Sequence, residues 1–288
     1  KFMLRTLQSF NFGNDFLLWM KIFYQSPQLM VKNNGWLSAE FEMSRGIRQG
    51  CPISALIFIL AVEILAINIR QSPKIQGFPI RSNGTNKELK ISQYVDDANL
   101  FLKLSNEIPE AINCLHDFEK VSGLRLNFEK TEGIWLGTDK ENPTEQFGIK
   151  FTNEPIRCLG IYVGHNAAEC YKHNWLDKLE MFQKLLDCWR LRDLTLFGKV
   201  TVIKTLGISK LVFSATCCSV TNDTIKDINK LIYNFLWHKT DRIKRNVLIN
   251  NYEDGGINML DTESFFDALK ASWVKRLNDA GEASWTLI

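Results

Sequence analysis

Residues 91–102 read ISQYVDDANLFL. The composition predicts two short strands, Ile91–Val95 and Ala98–Leu104, broken by Asp96-Asp97. Such a turn sets two carboxylates side by side at an exposed tip, while Ile91, Val95, Leu100 and Leu102 root the strands in apolar surroundings. Hard cations such as Mg²⁺ take oxygen ligands of this kind. Aspartate is also an ordinary turn residue, because its side chain hydrogen-bonds nearby backbone. Alone, the pair fits either a metal site or a well-made turn.

Upstream lies a loop, Arg45 to Ser54, reading RGIRQGCPIS. Its glycines, Gly46 and Gly50, let backbone approach a flat base or a phosphate. Arg45 and Arg48 suit phosphate, and Gln49 suits a base or sugar edge. A loop leading into a helix with basic decoration is the alternative. The helix itself is predicted from Pro52, which a first turn tolerates, with Ile53, Leu56, Ile57, Leu60, Ile64 and Ile67 on one face. Glu63 and Asn68 interrupt this apolar run, which suits a buried helix better than a membrane span.

Further out, Asn14-Asp15 caps a helix carrying Phe16, Leu17, Trp19, Met20, Phe23 and Tyr24. Asn33-Asn34-Gly35 predicts a hairpin between Leu29–Lys32 and Trp36–Met43, since Asn-Gly accepts the positive φ of a tight reversal. Residues Ser72 to Asn86, rich in Pro, Gly, Ser and Asn, read as loop. A helix is expected from Ile108 to Val121, opened by Pro109 and closed by Gly123. Leu124–Phe128, Gly133–Leu136 and Arg157 to Gly164 are strand-like. Beyond about His165 the pattern turns helical: one helix from Trp175 to Trp189, then Gly198 to Leu206, Ile208 to Cys217 and Thr224 to Trp237. A mixed α+β half thus precedes an all-helical half, with the change at 165–174.

Seven cysteines (Cys51, Cys114, Cys158, Cys170, Cys188, Cys217 and Cys218) form no C-x-x-C pair, and His116, His165, His173 and His238 lie far from any such pair. Neither a disulfide framework nor a zinc ribbon is indicated, and a reduced intracellular setting, nuclear or cytoplasmic, is expected. The net charge is +3, but 14 basic against 7 acidic residues fall between Lys172 and Arg245, which leaves −4 for the rest. A basic helical segment of this kind is either a nucleic-acid footprint or a solvated surface.

Taken in order, Gly46-x-x-Gln49-Gly50-x-x-x-Ser54, Leu56-Ile57-Phe58 and Tyr94-x-Asp96-Asp97 resemble the signature of reverse transcriptases. Ser122-Gly123-Leu124-x-Leu126-Asn127-x-x-Lys130-Thr131 and Cys158-Leu159-Gly160-Ile161 resemble the stretches that follow in non-LTR, LINE-type retrotransposon enzymes. Leu194-Thr195-Leu196-x-Gly198-Lys199, Phe235-Leu236-Trp237 and Gly255-Gly256-Ile257 are similar to their thumb and the segment beyond it. The likeness covers nearly the whole chain.

The resemblance implies an α+β right-hand palm, an antiparallel sheet packed on helices, followed by an all-helical thumb. It sets the palm and partial fingers at 1–165, the thumb at 166–245 and a connecting segment at 246–288. It implies an RNA-directed DNA polymerase that takes an RNA template, a DNA primer or nicked target DNA, deoxynucleoside triphosphates and two Mg²⁺ ions. Asp96 and Asp97 would be metal-site aspartates, and Lys130 would lie near the leaving pyrophosphate. Arg45, Gly46, Arg48, Gln49, Gly50, Ser54 and Tyr94 would meet template and nucleotide, and Leu159 and Gly160 the primer end.

Ala55 follows Ser54 where the family usually has Pro, and Val95 stands where LINE-type enzymes usually carry Ala. A third metal-binding aspartate belongs to a strand that the family pattern places shortly before Lys1. Little or no polymerase activity is therefore expected of residues 1–288 alone. A group II intron-type maturase and a catalytically dead RNA-binding relic of a retroelement are the rival readings.

Overall fold

A computed structural model describes residues 1–43, 46–48, 50–82, 85–137, 145–237 and 240–279. Arg45, Gln49 and His238 therefore lie outside the described residues. The chain forms two compact units that meet in sequence at Thr131 and Glu132. Both mix helices with small sheets.

The first unit opens with helices α1 (Phe2–Ser9) and α2 (Asn14–Tyr24). Gly13, not Asn14-Asp15, occupies the cap position of α2, so Asp15 lies in the first turn, where its charge favours the helix dipole. The predicted hairpin is present as β2 (Lys32–Asn33) and β3 (Trp36–Leu37), turned by Asn34 at φ 52° and Gly35 at φ 91°. Outer strands β1 (Gln28–Leu29) and β4 (Phe41–Glu42) extend it.

Helix α3 (Pro52–Gln71) follows, with Pro52 in its first turn. It buries Ser54, Ile57, Val62, Leu65, Ala66 and Ile69, while Leu56 is 62% exposed. The inward face is thus rotated from the one read in the sequence, because a helix apolar nearly all round does not declare its face by periodicity. Leu65, Ala66 and Ile69 pack with Ile75, Ile91, Ala111 and Phe118, and Ile57 with Leu7 and Met20. Each of these side chains larger than alanine contributes roughly 1.5–3 kcal/mol by leaving water.

The stretch read as loop holds a hairpin, β5 (Phe78–Ser82) with β6 (Thr85–Leu89), joined antiparallel from Phe78↔Leu89 to Ser82↔Thr85. Its sequence carries little apolar signal beyond Phe78, Ile80 and Leu89. Strands β7 (Ile91–Tyr94) and β8 (Asp97–Leu100) pair next, antiparallel. Helix α4 (Ile108–Ser122) ends at Gly123, whose φ of 78° is the left-handed stop expected of it. Leu124–Asn127 is not a strand, and Phe128–Lys130 makes one 3-10 turn instead, with the Asn127 side chain accepting from the Lys130 amide.

The second unit begins with a three-stranded sheet in the order β10 (Glu145–Gln146), β11 (Ile149–Thr152), β9 (Glu132–Ile134). The β9–β11 pair is parallel, unlike the antiparallel sheet expected. Strands β12 (Ile156–Cys158) and β13 (Ile161–Val163) form a hairpin. From Ala167 on, the described residues are helical wherever they are regular. Helices α5 (Ala167–Tyr171) and α6 (Asp177–Arg190) are joined without a break by a π turn, Lys172–Leu176.

Helices α7 (Leu196–Val202) and α8 (Ser209–Cys217) are likewise one run through a π turn, Ile203–Ile208, where two helices were read. Gly207, which looked like a break, instead admits Phe182: a Cβ there would lie 2.3 Å from its ring. Helices α9 (Asn222–Trp237), α10 (Arg245–Ile249) and α11 (Thr262–Asp279) complete the unit around Trp175, Phe182, Phe235 and Phe266. Among the described residues, α3 and the α7–α8 run are long and apolar enough to cross a membrane, yet each lays one face into its unit's core.

Candidate active site

The β7–β8 ladder pairs Ile91↔Leu100, Ser92↔Asn99, Gln93↔Ala98 and Tyr94↔Asp97. Val95 and Asp96 are therefore the loop residues, and Asp97 opens the second strand. Tyr94, Val95, Asp96 and Asp97 are all exposed. Among the described residues neither carboxylate has a hydrogen bond or an ion pair, so two anionic groups stand adjacent and unengaged. Val95 adopts φ 55°. That conformation costs a residue with a Cβ roughly 1–2 kcal/mol, and a β-branched side chain is a clear outlier there. Strain of this kind persists only where the surroundings enforce it.

The enforcement lies at the base of the hairpin. Ile91 is buried against α3 and α4. The Lys90 ammonium donates to the carbonyls of Arg70 (3.2 Å) and Ser72 (3.0 Å), at the C-terminal end of α3 where the helix dipole favours a cation. The Phe101 amide donates to the Lys90 carbonyl at 2.9 Å. Glu107, only 4% exposed, accepts from the amides of Gln76 (3.1 Å) and Lys103 (3.3 Å) through one oxygen, while its other oxygen is buried without a partner. Both strands thus run into backbone clamped by charged side chains.

In the Arg45–Ser54 loop, Gly46 and Gly50 both sit at φ 81°, with open space where a Cβ would project. The Arg48 guanidinium lies over the Tyr24 ring, 5.5 Å from its centroid, and its Nε is buried without a partner. Tyr24 Oη is 3.0 Å from Ser54 Oγ. Tyr24 thus joins Arg48 to Ser54; in the sequence it was only one more aromatic of α2. Cys51 caps α3, and its thiol titrates below the usual range because the backbone of Ile53 and the Ser54 hydroxyl hydrogen-bond it, with Arg48 adding attraction.

Lys130 is exposed, and its ammonium has no partner among the described residues. No hydrogen bond, ion pair or ring contact among the described residues joins Lys130, the Arg48 loop and the aspartate tip to one another. In the second unit, Leu159 (φ 47°) and Gly160 (φ 89°) turn the β12–β13 hairpin, and a Cβ on Gly160 would lie 3.4 Å from the Phe213 ring of α8.

Much of the basic charge beyond residue 170 is already engaged. Lys184 pairs with Glu180, Arg190 with Asp187, Lys226 with Asp223 and Arg245 with Asp241. Lys199 and Lys204 donate to the Leu236 and Asn258 carbonyls. Lys172, Arg192, Lys210, Lys230, Arg242 and Lys244 are exposed and without partners among the described residues.

Two free carboxylates on a rigid tip suit Mg²⁺, which keeps several waters and accepts one or two carboxylates together with substrate phosphates. Among the described residues, no group of three or more His, Cys, Asp or Glu could hold a metal ion.

Comparison with known proteins places these features in a wider setting. The family described as "Reverse transcriptase (RNA-dependent DNA polymerase)" matches residues 1–163. The chain is 26% identical over 282 residues to the "Transposon TX1 uncharacterized 149 kDa protein" of Xenopus laevis, covering 96% of this chain and 21% of that protein. It is 28% identical over 131 residues to the "Retrovirus-related Pol polyprotein from type-2 retrotransposable element R2DM" of Drosophila melanogaster, covering 45% of this chain and 12% of that polyprotein. The chain spans about a fifth of the first relative's length and about an eighth of the second's.

Proposed function

The chain belongs to the reverse transcriptase (RNA-dependent DNA polymerase) family, and from that premise we propose that it extends a DNA primer on an RNA template as part of a LINE-type retrotransposon protein. The observation that carries the reading is the strained β7–β8 tip, with Asp96 and Asp97 adjacent, exposed and unengaged.

Asp96 and Asp97 would hold Mg²⁺. When bound, that ion activates a primer hydroxyl and stabilises charge on the transferring and departing phosphates. The primer 3′ hydroxyl attacks the α-phosphate of a deoxynucleoside triphosphate, and pyrophosphate leaves. The buried base of the hairpin keeps the carboxylates from swinging. Arg48, rigidified over Tyr24, offers its guanidinium to phosphate, and the open space above Gly46 and Gly50 admits a base or sugar edge. Arg45, Gln49 and Tyr94 would meet nucleotide and template by family, while Ser54, buried at the start of α3, would act only through its contact with Tyr24. Lys130 would place an ammonium near the leaving pyrophosphate. Leu159 and Gly160 would support the primer end. Lys172, Arg192, Lys210, Lys230, Arg242 and Lys244 would meet duplex phosphates without regard to sequence.

The test is RNA-templated extension of a labelled DNA primer by a polypeptide that joins residues 1–288 to the upstream strand the family pattern supplies, wild type beside Asp96→Asn and Asp97→Asn. Each substitution is expected to remove several kcal/mol of transition-state stabilisation, on the order of 10³-fold in rate. Melting temperatures should stay within about 2 °C, because neither side chain has a partner to lose. Mn²⁺ binding followed by EPR should weaken in parallel. Undiminished extension by either variant would refute the assignment. Hybrid binding without extension in the wild type would favour the RNA-binding relic.

A further inference from the structure

We propose that Asn174 is a positioning residue for the Leu159–Gly160 hairpin, fixing that tip where a primer end is met; this rests on the reading of the hairpin given above. The Asn174 side chain makes two hydrogen bonds to one residue. Its Nδ2 donates to the Tyr162 carbonyl at 2.8 Å, and its Oδ1 accepts from the Tyr162 amide at 2.9 Å. That is the pair of bonds a neighbouring strand's peptides would make.

Tyr162 faces Arg157 across the β12–β13 ladder. Its amide and carbonyl turn outward, away from β12, and would otherwise form an open strand edge. The side-chain amide of Asn174 fills the place of a third strand.

The bonds are sheltered, since Asn174 is only 4% exposed. A buried amide left unpaired is costly, so the side chain has one satisfactory arrangement and keeps it. The π turn makes this possible. Asn174 and Trp175 are consecutive and both buried, yet they serve different neighbours. Trp175 enters the helical core and donates its indole N–H to the Ser219 carbonyl at 2.8 Å. Asn174 meets the hairpin.

His173, from the same turn, lies against the Tyr162 ring with centroids 4.7 Å apart. Its Nδ1 is 2.7 Å from an Asp177 carboxylate oxygen. The strand behind the tip is therefore fastened to the π turn through backbone and ring, and the tip itself abuts Phe213. π turns inside α-helices are frequent at functional sites, and this one joins the hairpin to the core.

The test uses the 288-residue chain and fluorescence anisotropy with two labelled RNA–DNA hybrids of equal length, one with a recessed primer 3′ end and one blunt. Asn174→Asp keeps the acceptor and removes the donor at constant size. It is expected to lower affinity for the recessed hybrid about tenfold, the worth of one buried hydrogen bond, and to leave the blunt hybrid within about twofold. Amide hydrogen exchange at Tyr162 should stay slow in Asn174→Asp and become fast in Asn174→Ser. Asn174→Ser also repeats the binding measurement should the buried carboxylate unfold the chain. Equal losses on both hybrids, or no loss on either, would overturn the positioning role alone. Failure of the wild type to distinguish the two hybrids would overturn both this role and the primer reading of the hairpin.

Discussion

The Val95–Asp96 tip and the Leu159–Gly160 tip are both two-residue hairpin turns, and in both the first turn residue is bulky and left-handed, at φ 55° and 47°. They differ in the second residue and in how they are held. Gly160 is also at positive φ (89°), so its turn is the mirror type that hairpins prefer, with leucine standing where asparagine is usual. Asp96 is not at positive φ, and a turn left-handed only at its first residue calls for glycine there. Valine occupies that place. The Asn34–Gly35 turn, at φ 52° and 91°, shows that the same chain also builds a reversal from residues suited to it. Val95 and Leu159 are thus bulky residues held left-handed at the two tips that the resemblance sets against substrate, and Phe147, at φ 56° between β10 and β11, is a third outside them.

The holding differs in kind. The Val95–Asp96 hairpin is clamped at its base by an ammonium on carbonyls and a carboxylate on amides, whereas the Leu159–Gly160 hairpin is clamped along its second strand by one neutral amide. The largest test of this contrast is Glu107→Ala. The Gln76 amide loses the acceptor it has, while the Lys103 amide keeps the Gln76 carbonyl at 3.1 Å. A loss of about 2 kcal/mol is expected in denaturant titration, with faster amide exchange in β7 and β8. Exchange that speeds up in β12 and β13 as well would mean the two hairpins are not held separately.

A smaller effect is expected for Lys90→Met. The stem packs as before, but the ammonium no longer meets the end of α3. Stability should fall by about 1 kcal/mol, less at high salt where such attraction is screened in the wild type too. A salt-independent loss would place the effect in packing, and the charged clamp would lose its meaning.

Where the sequence spoke clearly, a local conformational need was met by a residue that rarely serves another. Asn34-Gly35, Pro52 and Gly123 announced a reversal, a helix start and a helix stop, and each stands there. Asp96-Asp97 announced a reversal one residue late: Val95 and Asp96 make the turn, and Asp97 already pairs with Tyr94 in the second strand. What stayed hidden depends on partners distant in the chain. Strands Phe78–Ser82 and Thr85–Leu89 gain their order from pairing with each other, and their loop-like composition masked it. Gly207 looked like an interruption because only Phe182 explains it. Tyr24, Glu107 and Asn174 carry no local signature, since a buried carboxylate or amide is recognised only by the backbone it meets. The rotation of α3 has the same origin: its outer residues are as apolar as its inner ones.

The smallest effect decides whether the strain at the aspartate tip is used. Val95→Gly relieves a left-handed β-branched residue, worth roughly 1–2 kcal/mol, against the roughly 0.5–1 kcal/mol that glycine's added freedom costs the folded state. Stability should therefore be unchanged or rise by up to about 1 kcal/mol in denaturant titration. Extension should nonetheless slow, because a glycine at this turn lets Asp96 sample directions that valine forbids. Leu159→Gly should give a similar gain in stability, with its cost confined to the recessed-end hybrid. If Val95→Gly instead destabilises the chain, the valine makes contacts that offset its strain, and the conformation at φ 55° needs no functional explanation.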